Sequence, residues 1–333
     1  MTASPASTSE PATSAAPMAP RRSRETLIAA VAFILFALLP PVASAMNDTF
    51  FVFFAIRVMV FAIAAVSLSL ILGFGALVSF GHAAYLGLGA YSVGILAEHG
   101  YWDVTISLPV TLLVCGLFAA VTGAISLKTR GVYFIMITLA FGQMAYYTAT
   151  SLSAYGGDDG LTIWGRTEIF GASVLGDRTT FYYVVLGMLL LSYVIARVIV
   201  ASRFGRVLQG AKQSEMRLRA VGIDPYWYRL VAYVIAGMMA GVAGALLANA
   251  AEFVSPAYMS WHRSGELIVM VVLGGLGSLA GSIVGAASFL ILEEVLAHFT
   301  EHWRLIFGPL LVLVVLFGKG GLTAMLGGGR KNG

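Results

Sequence analysis

The sequence predicts an all-α, polytopic membrane protein with about ten transmembrane helices. Hydrophobic residues make up 59% of the 333 residues and charged residues only 11%, whereas soluble domains carry about 25% charged residues. A chain this apolar cannot cover a soluble fold with polar surface. Its lysines and arginines stand mainly between long apolar runs, so the isoelectric point of about 9.2 indicates membrane topology and not a nucleic-acid partner.

The membrane spans follow from the lengths of the apolar runs, because about 20 apolar residues cross the hydrocarbon core. The candidate spans are 26–45, 51–72, 81–97, 105–127, 131–151, 180–201, 230–250, 266–278, 281–297 and 304–318. Residues 1–25, rich in Ala, Pro, Ser and Thr, are expected to form a disordered cytoplasmic tail. Residues 26–318 then form the membrane domain, and residues 319–333 form a second cytoplasmic tail.

The first span also has features of a secretory signal peptide. An arginine-rich stretch, Arg21 to Arg24, precedes the apolar run, and Ala43-Ser44-Ala45 resembles a cleavage site. The other interpretation is a retained helix, since Ala-x-Ala arises by chance in an alanine-rich chain. We favour retention, and the topology of the later spans is the same in both cases.

The orientation follows from the distribution of basic residues. Segments 1–25, 128–130, 202–229 and 319–333 together hold 14 of the 20 lysines and arginines. With ten crossings, these four segments lie on the same side of the membrane, and the side rich in Lys and Arg is cytoplasmic. Both termini and the segment 202–229 are therefore predicted to be cytoplasmic.

Two glycine-rich stretches interrupt the apolar pattern. Residues 73–94 contain six glycines and residues 274–285 contain five. Irregular backbone at membrane depth is tolerated only inside protein or beside a water-filled cavity, so a translocation pathway is one interpretation. Close helix packing through small residues is the other, and the two are compatible. The candidate pathway residues are Ser79, Gly81, His82, Tyr85, Gly274, Gly275 and Gly277.

Three of these residues, Ser79, His82 and Tyr85, have the spacing of one helical face. A histidine within a span either relays protons or hydrogen-bonds a neighbouring helix, and the second role is the commoner one. In the predicted outer loop 152–179, Asp158 and Asp159 suit either a cationic group or a partner protein. Aspartate and glycine also simply form turns, and both interpretations remain open.

The segment 202–229 combines a small apolar face with a high charge density. Apolar or small residues recur with helical spacing at Val207, Ala211, Ser214, Leu218 and Val221. We therefore expect one helix of about 16 residues between Gly205 and Gly222, ended by a left-handed glycine cap with Pro225 soon after. Three roles for this segment remain open. It binds the anionic inner surface of the membrane, it is a solvated connection that only fixes the orientation of the spans, or it fits a groove on a cytoplasmic partner.

The sequence lacks the motifs of several common binding and catalytic sites. It contains no phosphate-binding Gly-x-x-x-x-Gly-Lys-Ser/Thr loop, no His-Glu-x-x-His metal pair and no Gly-x-Ser-x-Gly nucleophile elbow. Its single cysteine, Cys115, permits no internal disulfide. We expect no bound cofactor, no metal and no enzymatic activity in this chain.

Five motifs in order resemble one family of transport proteins. They are Ser79–Tyr91 (SFGHAAYLGLGAY), Arg130–Gln143 (RGVYFIMITLAFGQ), Gly156–Gly160 (GGDDG), Ser202–Leu208 with Ala220–Ile223, and Leu273–Gly281 (LGGLGSLAG). This series is similar to the LivM-type permeases, the membrane subunits of branched-chain amino acid ABC importers. The resemblance covers about residues 26–325.

The resemblance implies a permease of the bacterial inner membrane that works in an assembly. Such permeases pair with a LivH-type permease, two cytoplasmic ATPase subunits and a periplasmic substrate-binding protein. The expected substrates are branched-chain amino acids or related small polar ligands such as amides, urea or aromatic acids. The alternative is a self-sufficient, ion-coupled secondary transporter, which commonly needs ionisable groups near the midplane, and the spans contain few.

The resemblance also assigns roles to individual residues. The loop matching 202–229 carries the family's ATPase-coupling helix, which points to Gly205, Arg206, Glu215, Ala220 and Gly222. Arg217 and Arg219 depart from the pattern, because relatives often have Glu or Ala there. The loop with Asp158 and Asp159 is similar to one that faces the binding protein.

Overall fold

The chain is predominantly helical in its computed structural model, which describes residues 21–45, 50–168, 171–172, 174–299, 302, 305, 307–309 and 321–322. The helices are α1 (Arg21–Ala45), α2 (Phe50–Gly75), α3 (His82–Glu98), α4 (Val104–Ser126), α5 (Val132–Ser151), α6 (Arg178–Ala201), α7 (Arg203–Gln213), α8 (Glu215–Ala220), α9 (Pro225–Ala251), α10 (Trp261–Gly274) and α11 (Leu279–Phe299). Nine predicted spans coincide with helices, and the tenth, 304–318, falls almost entirely outside the described residues.

Six of the described helices are long and apolar enough to cross a membrane. They are α2, α4, α5, α6, α9 and α11. Helices α3 and α10 are shorter, with 17 and 14 residues, and α1 contains two consecutive prolines, Pro40 and Pro41. Length and hydropathy therefore establish a polytopic, α-helical membrane protein.

The core of the fold is formed by α2 and α9. In the most apolar 18-residue stretch of each helix, 72% of the residues of α2 and 67% of those of α9 are buried, compared with 22% in α4. Helix α9 packs on α2, α3 and α4, and α2 also packs on α6 and α11. The outer helices leave aliphatic side chains such as Leu113 and Leu117 of α4 exposed, as expected of a surface that faces lipid tails.

Glycines bring α3 and α9 into backbone contact. A Cβ at Gly89 would overlap the carbonyl of Gly241, and a Cβ at Gly244 would overlap the carbonyl of Leu86. In a bilayer the hydrophobic effect does not drive helices together, so membrane helices associate through close packing at small residues. The packing role proposed for the glycine-rich stretch 73–94 is thus observed at Gly89, and residues 82–94 are regular helix.

Both glycine-rich stretches contain a real break in the helices. The first break, residues 76–81, separates α2 from α3, and the second break, residues 275–278, separates α10 from α11. The prediction that Ser79 shares a helical face with His82 and Tyr85 is wrong, because α3 begins only at His82. Ser79 lies in the non-helical chain before it.

A short antiparallel strand pairing attaches the loop 152–179 to the end of α9, and it was not predicted from sequence. Strand β1 (Leu161–Thr162) pairs antiparallel with β2 (Phe253–Val254), which directly follows α9. Beside it, the backbone amide and hydroxyl of Thr167 both donate to Asn249 Oδ1, at 2.8 and 2.6 Å. The long loop is therefore fixed to the end of a core helix.

Candidate functional site

The segment 202–229, called the charged segment below, is two helices and not the single helix expected from its spacing. Helix α7 ends at Gln213 and α8 starts at Glu215, with Ser214 in an extended conformation between them (φ −162°, ψ 109°). The Ser214 hydroxyl accepts a hydrogen bond from the backbone amide of Arg217 at 3.4 Å. Serine competes well for this capping position, which explains the break.

The break also divides the predicted apolar face. The buried side of α7 consists of Gly205, Leu208 and Ala211, and it packs against α2, α6 and α9. Val221, at the far end of the predicted face, is 76% exposed. The interpretation of one continuous docking face from Val207 to Val221 is therefore wrong.

Two glycines shape the ends of the charged segment. A Cβ at Gly205 would overlap the backbone carbonyls of Ile199 and Val200, so the tight turn between α6 and α7 admits only glycine. Gly222 has φ +81°, and the amide of Ile223 donates to the carbonyl of Leu218 at 3.0 Å. This is the Schellman pattern, and it confirms the predicted left-handed cap at Gly222.

The exposed side chains of the charged segment include several basic and apolar ones. Arg206 and Ala220 are exposed, and Met216 is 82% exposed. Three of the five residues assigned to the coupling helix by the resemblance, Arg206, Ala220 and Gly222, are therefore exposed. Gly222 also shapes the end of the segment, as Gly205 shapes its start, and the fifth residue, Glu215, is only partly exposed.

Glu215 lies at the centre of a cluster of three arginines. Its Oε1 accepts a hydrogen bond from Arg130 at 2.8 Å and forms an ion pair with Arg219, also at 2.8 Å. Arg229 donates to its Oε2 at 3.1 Å and also to the carbonyl of Ala211 at 3.1 Å. Sequence spacing predicts only the Arg219 pair, four residues away on a helix. Arg130 comes from the loop between α4 and α5.

A lysine connects the charged segment to the end of α2, beside the second break. Lys212 Nζ donates to the carbonyl of Gly73 at 2.7 Å, one of the last carbonyls of α2 that have no partner within the helix. A Cβ at Gly73 would stand 3.0 Å from the backbone nitrogen of Gly277 in the second break. The charged segment, the end of α2 and the second break therefore meet.

The candidate pathway residues near the first break are buried and hydrogen-bonded. His82 Nε2 lies 2.8 Å from the Ser67 hydroxyl on α2, so the hydrogen bond to a neighbouring helix is observed. The Tyr85 hydroxyl lies 3.0 Å from Thr122 Oγ1 of α4. Ser79 Oγ lies 3.4 Å from the hydroxyl of Tyr233 on α9. These contacts join the first break and the first turn of α3 to α2, α4 and α9.

Close backbone contacts surround the remaining candidate pathway residues. A Cβ at Gly81 would overlap the carbonyl of Thr138 on α5, and a Cβ at Gly274 would overlap the carbonyl of Gly281. Gly275 and Gly277 have φ values of +112° and +88°, which an L-residue rarely adopts. The sharp second break thus depends on glycine.

An apolar cavity of about 600 Å³ lies between α3, α4 and α5. None of the seven candidate pathway residues lines it. Thr122 does, and it connects this wall to Tyr85. Sequence reasoning did not identify this cavity, because its aliphatic walls resemble any other membrane-helix surface.

The loop with the two predicted aspartates is exposed and turn-rich. Asp158 and Asp159 are both exposed, and the flanking Gly157 and Gly160 have positive φ values. The indole of Trp164 in the same loop is 88% exposed. Aspartate and glycine form turns here, and the loop also exposes a large aromatic side chain.

Four ionisable groups within the described helices form two ion pairs. Arg57 of α2 lies 3.4 Å from Glu293 of α11, and Arg263 lies 2.6 Å from Glu266 on α10. Paired charges of opposite sign stabilise each other in a low-dielectric environment. These four residues therefore do not provide the unpaired midplane charge typical of an ion-coupled transporter.

Comparison with known proteins identifies one family. The family described as "Branched-chain amino acid transport system / permease component" matches residues 50–315. The high-affinity branched-chain amino acid permease protein LivM of Salmonella typhimurium is 27% identical over 297 residues, covering 81% of this chain and 69% of LivM.

Two other relatives are permease proteins as well. LivH of Escherichia coli is 29% identical over 161 residues, covering 47% of this chain and 51% of LivH. The autoinducer 2 import permease LsrC of Escherichia coli is 28% identical over 257 residues, covering 72% of this chain and 70% of LsrC. No solved structure matches the chain.

Proposed function

The chain belongs to the branched-chain amino acid transport permease family, and we propose that it is the permease subunit of an ATP-driven importer for branched-chain amino acids. The observation that carries this proposal is the family match over residues 50–315, which includes both helix breaks and the charged segment. The chain is a multi-pass protein of the inner membrane and a non-enzymatic component of its transporter. The similarity to LsrC keeps other small polar ligands within the proposal.

The proposed assembly contains four kinds of subunit. Similarity to both LivM and LivH supports pairing with a second, LivH-type permease. Two cytoplasmic ATPase subunits supply the energy, in agreement with the missing phosphate-binding loop, and a periplasmic binding protein delivers the ligand.

The proposed topology has ten spans, with both termini and the charged segment in the cytoplasm. The distribution of lysines and arginines supports it. We also expect α1 to be retained, because the Tyr182 hydroxyl donates to the Phe36 carbonyl at 2.7 Å. Arg197 donates to Thr26 at 2.9 Å, which fixes the opposite end of α1 to α6.

The charged segment is the proposed docking site for an ATPase subunit. Its exposed side chains, Arg206, Met216 and Val221, offer basic and apolar contacts to a groove of acidic rim and apolar floor. Gly205 and Gly222 set the turns that present these side chains. ATP-driven closure of the ATPase pair moves this segment and thereby switches the permease between outward and inward access.

The two helix breaks form the proposed moving part of the translocation pathway, with Ser79, Gly81, His82, Tyr85, Gly274, Gly275 and Gly277 as its residues. The close approach of Gly73, near the end of α2 just before the first break, to Gly277 in the second break supports this, because it places the two breaks beside each other. On the outer side, the loop with Asp158, Asp159 and Trp164 is the proposed surface for the binding protein.

Uptake in living cells tests this proposal. Cells that express the chain with its genomic neighbours are expected to accumulate labelled leucine, isoleucine and valine after an ionophore collapses the ion gradients, as long as ATP remains. Uptake that stops with the ionophore and continues when ATP is depleted would contradict the ATP-driven assignment and favour ion coupling.

A further inference from the structure

We propose that Glu215 is a positioning residue that fixes the charged segment to the membrane helices, and that it does not act by binding the ATPase. The inference rests on the proposed function, since it concerns how motion of the segment reaches the helices. Its subject is the cluster of Glu215 with Arg130, Arg219 and Arg229.

The orientation of Glu215 is the first argument. Its side chain is only 15% exposed, although neighbouring Met216 is 82% exposed. Both carboxylate oxygens accept a hydrogen bond from an arginine, Oε1 from Arg130 and Oε2 from Arg229, and Oε1 also forms an ion pair with Arg219. A carboxylate this enclosed and this fully paired has little capacity left for a residue of another subunit.

The elements that Glu215 joins are the second argument. Arg229 lies in the first turns of the core helix α9, and Arg130 lies in the loop that leads into α5. Arg229 also binds the carbonyl of Ala211, so it fixes the end of α7 as well. A displacement of α8 therefore moves α9 and the start of α5, or it breaks charge-assisted hydrogen bonds.

The weakness of other contacts at this place is the third argument. Helix α8 packs on α7 and α9, whereas a cavity of about 200 Å³ lies between the cluster, the first break and the first turn of α5. Because apolar packing is incomplete there, the Arg130–Glu215 pair is a principal connection between α8 and the α4–α5 loop. Removing it releases the start of α5 from the motion of the segment.

The three arginines differ in their contribution. Arg130 and Arg219 are 69% and 58% exposed, so water and salt screen their attraction to Glu215. Arg229 is only 16% exposed, and its pair is the least screened. We therefore assign Arg229 to holding Glu215 in place and Arg130 to transmitting the motion toward α5.

The test compares four variants in the complete, reconstituted transporter: Glu215→Gln, Glu215→Asp, Arg130→Gln and, as a matched control, Lys128→Gln. Lys128 is an exposed basic residue of the same loop. The measured quantities are co-purification of the ATPases, ATP hydrolysis, and the labelled leucine taken up per ATP hydrolysed.

We expect all four variants to retain the ATPases and to hydrolyse ATP. Leucine uptake per ATP is expected to fall about fivefold in Arg130→Gln and further in Glu215→Gln, to recover partly in Glu215→Asp, and to remain unchanged in Lys128→Gln. If Glu215→Gln instead loses the ATPases, or if Arg130→Gln transports like the control, the inference is wrong. If the unaltered assembly takes up no amino acid, the proposed function itself has failed.

A reversible link provides a second, independent readout. With Arg130→Cys and Glu215→Cys combined, a bis-methanethiosulfonate reagent, which joins the two thiols through disulfide bonds, is expected to restore uptake per ATP, and a reducing agent that cleaves these disulfides is expected to abolish it again. The native Cys115 is buried, and the single-cysteine variants control for it. A link that forms but leaves transport uncoupled would overturn the inference.

Discussion

Replacing Gly222 by valine tests whether the end of the charged segment must keep its shape. Gly222 has φ +81° and closes α8 through hydrogen bonds from its own amide and that of Ile223, both 3.0 Å long. The glycine-ended turn leads within three residues to Pro225, the first residue of the core helix α9. The substitution therefore perturbs the connection between the segment and the core.

The size of the effect follows from backbone conformation alone. No described atom outside the neighbouring residues lies within 4 Å of where a Cβ would stand at Gly222, so steric overlap does not contribute. An L-residue in the left-handed region costs about 1–2 kcal/mol. That cost lowers the population of the closed helix end by about five- to thirtyfold.

The assay measures ATP hydrolysis, ATPase co-purification and leucine uptake in the reconstituted assembly. Gly222→Val is expected to insert normally but to uncouple hydrolysis from uptake or to weaken ATPase binding. Gly222→Asn is expected to retain most activity, because asparagine tolerates the left-handed conformation. Gly210→Ala is the matched control, since its Cβ makes an ordinary 3.5 Å contact with Leu218.

Two results would refute this reasoning. Normal uptake and normal ATPase binding by Gly222→Val would show that the cap has no part in coupling. Equal loss in Gly222→Asn and Gly222→Val would show that the defect comes from removing glycine and not from backbone strain.

Three further predictions concern packing, the first break and the outer loop. Gly89→Leu places a side chain against the Gly241 carbonyl and is expected to abolish monodisperse protein in size-exclusion chromatography, whereas Gly187→Leu on α6, with open space around it, stays folded. His82→Ala is expected to cost about 1–3 kcal/mol of stability and to lower uptake, while Ser67→Ala lowers only stability; equal uptake in both variants contradicts a pathway role for His82. Asp158→Asn with Asp159→Asn is expected to weaken stimulation of ATP hydrolysis by the binding protein, most clearly at low salt, with Glu98→Gln as the control; unchanged stimulation removes the loop from the docking surface.

The membrane helices were predictable from sequence because their signal is local. An apolar run of sufficient length forms a helix in a membrane wherever it stands, since every backbone group must be satisfied within the segment. The left-handed cap at Gly222 was equally local, because it follows from glycine after a short helix and a proline soon after. The two helix breaks were visible for the same reason.

The organisation of the charged segment was only partly predictable. Regular spacing suggested one continuous helix. The Ser214 hydroxyl instead accepts a hydrogen bond from the backbone amide of Arg217, and this cap starts a second helix. Small and apolar residues fit both a continuous and a broken helix, so periodicity alone does not decide between them. The prediction that Ser79 lies on the helical face of His82 and Tyr85 failed for a similar reason. The i, i+3, i+6 spacing of these residues continues across the first break, and nothing in the composition marks where the helix begins.

The cluster around Glu215 was beyond sequence reasoning. Arg130 is separated from Glu215 by 85 positions, and nothing in either local sequence indicates the other. Only the tertiary arrangement, in which the α4–α5 loop meets the charged segment, brings the two charges together. The pairs Arg57–Glu293 and β1–β2 depend on tertiary contact in the same way.

The most direct test of the account is ATP-dependent uptake by purified components in proteoliposomes. The chain is reconstituted with its second permease, the two ATPases and the binding protein, and the initial rate of labelled leucine entry is measured. We predict uptake with ATP, none with a non-hydrolysable ATP analogue, and none when the ATPases are omitted. Leucine entry driven by a proton or sodium gradient through liposomes that lack the ATPases would contradict the account.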